Sequence, residues 1–132
     1  MVTFPRIDEL TAKVKLYAPK PDSFDKDTYD SFIDDTIDKL LNDVADFINR
    51  PVDQVPEQLD SSLAIKAAGW LIDVGAFMPI SDRQAGTESQ IVEGDTTVSY
   101  ATPLWFMTRL SEVNFLDKDF KQRLVHYRRL LL

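Results

Sequence analysis

The chain has 132 residues, enough for one domain with its own core, and a net charge of −7. Hydrophobic residues make up 44% and charged residues 28%, which is a globular composition and excludes a disordered chain. The absence of cysteine excludes a disulfide framework, a thiolate metal site and a thiol nucleophile, and the acidic balance excludes nucleic-acid binding through bulk charge.

The opening MVTFPRIDEL has no long apolar run behind basic residues, so no secretory signal is expected. The most apolar window, residues 63–78, is interrupted by Lys66 and Asp73. Nothing reaches the roughly 18 apolar residues that a membrane span needs, so no membrane partner is expected.

The first helix is expected over residues 7–17, with Leu10, Val14 and Tyr17 at helical spacing and Pro19 and Pro21 as stops. A second, strongly amphipathic helix is expected over residues 25–49. Its apolar positions are Tyr29, Phe32, Ile33, Ile37, Leu40, Leu41, Val44, Phe47 and Ile48, with aspartates on the other face and Pro51 as the stop. A third is expected from Pro56 or Glu57 to Phe77. It is apolar almost all round, which places it at the centre of the fold or under another subunit. Gly69 and Gly75 would lie inside it and admit close packing.

Residues 79–88 read as a loop. Two β-prone runs then flank Gly94-Asp95 between Ser89 and Tyr100, which predicts a hairpin that must pack on the helices or pair with a neighbour. Thr102-Pro103 reads as an N-cap and first helical residue, followed by Leu104, Trp105, Met107 and Leu110. Asp117 caps a last helix with Phe120, Leu124, Tyr127 and Leu131, and Arg123, Arg128 and Arg129 lie where its dipole favours cations. The expected fold is therefore mainly α, a small helical bundle around a central apolar helix with a short β-hairpin, in one domain over residues 1–132.

No residue pattern calls for catalysis. The single histidine, His126, reads as an exposed or partner-contacting residue. Asp25, Asp27 and Asp30 lack the glycine and terminal glutamate of a calcium loop, and Asp34, Asp35 and Asp38 read as a solvated face. The glycines form neither a phosphate loop nor a dinucleotide fingerprint. No catalytic residue, no cofactor and no metal ligand is assigned.

Charge is uneven along the chain. Residues 22–60 hold twelve acidic and three basic side chains, whereas residues 117–132 hold two acidic and five basic ones. These are either ordinary solvated faces or surfaces through which copies of the chain pair.

The order of the pieces resembles the head–tail connector, or adaptor, subunits of long-tailed double-stranded DNA bacteriophages and their prophage relatives. Residues 30–49 resemble that family's long helix, acidic at its start and closing in an Asn/Gly-Arg turn, here Asn49-Arg50. Val55-Pro56-Glu57-Gln58-Leu59 leading into Ala64-Ile65-Lys66-Ala67-Ala68 resembles its proline-led apolar helix. Residues 93–101 resemble its hairpin, which ends in a Val-Ser-Tyr type sequence, and residues 124–130 its closing Leu-x-x-Tyr-Arg-Arg segment. The N-terminal region with Phe4, Pro5, Pro19 and Pro21, and the bulky stretch 102–114, depart from the family's pattern.

The resemblance implies a structural virion protein assembled in the bacterial host cytoplasm. Its subunits would form a homo-oligomeric ring below the portal protein after DNA packaging. The ring would extend the DNA exit channel without gripping the DNA and support the next head-completion or tail protein. Glu93, Gly94, Asp95 and Tyr100 in the hairpin, and Tyr127, Arg128 and Arg129 near the end, are the candidate partner-interface residues. For the last segment, cover of the domain's own core is the competing reading. The rival for the whole chain is a monomeric helical regulatory or binding module of a prophage or bacterium. A carboxylate metal enzyme and a helix-turn-helix DNA binder using the basic last helix complete the alternatives.

Overall fold

A computed structural model of the protein describes residues 4–78 and 102–129. Among these residues the fold is helical. Five α-helices follow one another: α1 (Ile7–Tyr17), α2 (Lys26–Ile48), α3 (Asp60–Asp73), α4 (Pro103–Glu112) and α5 (Lys118–Leu124). Single 3-10 turns precede α3 at Val52–Gln54 and Glu57–Leu59, and another extends α5 at Val125–Tyr127.

Local chemistry sets the ends of these elements. Asp25 caps α2 by accepting the Thr28 N–H at 2.9 Å, Thr102 caps α4 from Trp105 N–H at 3.1 Å, and Asp117 caps α5 from Phe120 N–H at 2.8 Å. Helices α2 and α3 close with the same device. Asn49 (φ 56°) and Gly75 (φ 69°) take left-handed backbone. Behind them, Arg50 N–H donates to Ala45 O at 3.1 Å and Ala76 N–H to Leu71 O at 3.0 Å. Each bond satisfies a carbonyl that the helix end would otherwise leave without a partner.

The 23-residue α2 packs against every other helix. Its inner face buries Tyr29, Phe32, Ile33, Ile37, Leu40, Leu41, Val44 and Ile48. The one buried polar side chain in it, Thr36, donates to Phe32 O at 2.8 Å, so nothing polar is stranded. The most extensive helix pair is α1 with α3, and α3 buries Leu63, Ala64, Ala67, Ala68 and Leu71. Arg6 locks the starts of these two helices together, donating to both Asp60 carboxylate oxygens at 2.7 and 3.0 Å and to Val55 O at 2.9 Å. An aromatic cluster fills the space between α2, α3 and α4. Phe106 stacks on Phe32 with centroids 3.8 Å apart, and Trp70 meets both Phe106 and Phe115 edge-on.

Several expectations need correction. The hub is α2, not the apolar third helix, because α3 leaves Ile65 and Ile72 61% and 56% exposed. Its α-helical part is also shorter, ending at Asp73, so Gly75 is the cap that stops it and not an interior residue. Gly69 is not there for close packing, since a Cβ at that position would meet nothing within 4 Å. On α4 the buried pair is Phe106 and Leu110, while Leu104 and Met107 face outward. The last helix ends at Leu124 and passes into a 3-10 turn, so Arg128 and Arg129 lie beyond it. No strand occurs among the described residues, so the short β-hairpin is not borne out there; residues 89–100, on which it was expected, lie outside them.

Candidate functional site

The closing segment folds back onto the end of α2. Phe120 and Leu124 are buried beneath α5, and Tyr127 is half-buried against the core. The backbone then turns extended at Arg128 and meets the α2 C-terminus. Arg129 N–H donates to Ile48 O at 2.7 Å, and the Arg129 guanidinium donates through Nε to Asn49 O at 3.2 Å. In return, Asn49 Nδ2 donates to Arg129 O at 3.2 Å and Arg50 Nε to Tyr127 O at 2.9 Å. Arg129 thus does place a cation at a helix C-terminus, but the helix is α2 and not its own. Arg128 differs: its guanidinium lies 5.2 Å from the Phe47 ring centroid, beside Lys121 Nζ at 5.9 Å from it, and that guanidinium makes no hydrogen bond to a described residue.

These contacts sort the candidate interface residues. Tyr127 and Arg129 are committed to the chain's own fold, whereas Arg128 is exposed and ion-paired to no described residue. Glu93, Gly94, Asp95 and Tyr100 lie outside the described residues.

Two charged faces stand out, and the acidic one on α2 is where its periodicity places it. On α5 and the turn that extends it, Lys118, Lys121, Gln122 and Val125 recur at three- and four-residue spacing and are all exposed, and exposed Arg128 follows in extended backbone. On α2, Asp27, Ser31, Asp34, Asp38, Asn42 and Asp46 form one exposed stripe with Asp35 half-buried at its edge. Elsewhere on α2 the carboxylates are matched: Asp30 binds Lys15 at 2.9 Å and Lys26 at 2.8 Å, which hold its carboxyl below the usual range, and Asp43 binds Lys39 at 3.1 Å. The aspartates at 34, 35, 38 and 46 have no ion-pair partner among the described residues. Burial, with Asp34 and Asp38 adding to it, pushes the Asp35 carboxyl above its ordinary value.

An open groove of about 560 Å³ runs between α3 and residues 113–123, with Ile65, Gly69, Trp70 and Phe115 on its apolar side and Lys66 and Arg123 at its edge. Lys66 bonds Asp117 there, and with the Phe120 N–H it holds the Asp117 carboxyl low. Arg123 donates to the Ser62 hydroxyl at 3.2 Å across the groove. The His126 side chain is exposed and makes no hydrogen bond to a described residue. Among the described residues no three acidic or histidine side chains are placed to hold a metal ion, and no helix is long and apolar enough to cross a membrane.

Compared with known proteins, the chain matches no family model, no curated protein and no solved structure.

Proposed function

We propose that the chain is a structural virion-assembly protein, a head–tail connector subunit. In this reading, copies form a ring below the portal after DNA packaging, extend the exit channel and carry the next head-completion or tail protein. The chain assembles in the bacterial host cytoplasm and resides in the virion.

One observation carries the reading furthest. Two of the segments on which the connector resemblance rests, Asn49-Arg50 and Tyr127-Arg128-Arg129, are bonded to each other across about 80 positions. Motifs that look weak apart thus belong to one structural joint. The surplus of acid is a second support, because a channel wall of like charge lets DNA slide without adhering.

The test is localisation on particles. Antibodies against the chain, applied with gold label to particles from the strain that encodes it, are expected to decorate the head–tail junction. Particles with no label at the junction, together with a chain that stays free in the lysate, would overturn the assignment in favour of the monomeric module.

A further inference from the structure

We propose that the acidic outer face of α2 is the docking surface for the basic outer face of α5 and Arg128 in a second copy of the same chain. This rests on the connector reading, which calls for contacts between copies, and adds the surfaces that make them.

Like charges crowd both faces. Asp34 and Asp38 stand one turn apart on α2, an arrangement that disfavours a helix, and Asp35 sits between them half-buried. Lys118 and Lys121 are likewise neighbours on α5, with Arg128 just beyond. Neither set draws its counter-charge from a described residue of its own chain, although Asp30 and Asp43 on the same α2 do. Each face therefore carries a self-energy that the other face is suited to relieve. The geometry is compatible as well. The acidic face is a helical stripe of three- and four-residue spacing, and Lys118 and Lys121 stand one turn apart on α5, so these charges recur at a similar interval of roughly 5.4 Å along the two helices. Lys121 and Arg128 are held over Phe47 rather than left to wander, which reduces the ordering cost of binding. Exposed Val125 supplies an apolar contact within the basic strip. Because the two faces are distinct, each copy offers both halves of the contact, and where the pairing is head-to-tail it repeats from copy to copy, the kind of contact that closes rings.

The experiment is a charge swap read by sedimentation velocity at low ionic strength. One variant carries Asp34→Lys with Asp38→Lys; the other carries Lys118→Glu with Lys121→Glu. Wild type is expected to self-associate, and to do so less as salt is raised. Each variant alone is expected to associate more than about tenfold more weakly. Mixed in equal amounts, the two variants are expected to associate again, because each then offers the face that the other needs. Circular dichroism of every variant checks that the helices are intact. A wild type that remains monomeric at low salt, or variants that associate as wild type does, would overturn the proposal; so would a mixture no stronger than its components. Gold label at the head–tail junction reports on the function independently, so docking and function fail separately.

Discussion

Phe106 is fully buried and stacked flat on Phe32, whereas Trp70 is half-buried and touches the cluster by its edges. Phe106→Ala is therefore expected to cost about 3–5 kcal/mol and Trp70→Ala clearly less, as read by thermal or urea unfolding. Equal losses would mean that the tryptophan is the larger anchor. Asp35 gives a pH test. Its folded carboxyl titrates above the unfolded value, so between the two the folded state binds more protons. That contribution is present below the unfolded value and is lost as pH rises through the folded one. Asp35→Asn should thus melt slightly above wild type at pH 7, by no more than about 0.5 kcal/mol, and the gap should close near pH 3. The periodicity of α4 is ambiguous at this scale. Leu104 with Met107 and Phe106 with Leu110 both have helical spacing, and only the position of Phe32 on α2 selects the second pair.

Some helix starts were legible in the sequence, at Thr102 and Asp117 above all, whereas neither end of α3 was. Asp25, Thr102 and Asp117 act as caps through an N–H three positions on, a rule that needs no tertiary information. Helix α1 also has the expected bounds, set by the prolines behind it. The end of α5 was not legible, because the partner that draws Arg129 out of a helix is Ile48. The left-handed cap at Asn49 provides the test here. Asn49→Ala is expected to destabilise by about 1 kcal/mol or more, since alanine tolerates that backbone poorly. Asn49→Gly is expected to stay near wild type, losing only the exposed bond to Arg129 O. If both behave alike, the side-chain bond matters more to stability than the backbone conformation does.

At the scale of the whole molecule, composition pointed to a helical, acidic domain with a basic end, and the described residues have that distribution. What composition left open was how the basic end is used. The chain consumes Arg129 and part of Tyr127 itself and leaves Lys118, Lys121 and Arg128 outward, a division visible only once α2 and the closing segment are side by side. The net charge of −7 leads to the expectation that random duplex DNA binds more weakly than about 1 μM at physiological salt in an anisotropy titration. Submicromolar, salt-sensitive binding would mean that the basic strip grips phosphates, and the channel reading would fail.

The joint between α2 and Arg129 also fixes an order of events during synthesis. Helix α2 leaves the ribosome some 80 residues ahead of the arginine that covers its last carbonyls. Through that interval Phe47 lacks its cationic cover, and the acidic stripe exists on a chain whose own α5 has not yet been made. A growing chain therefore displays one charged face well before the other.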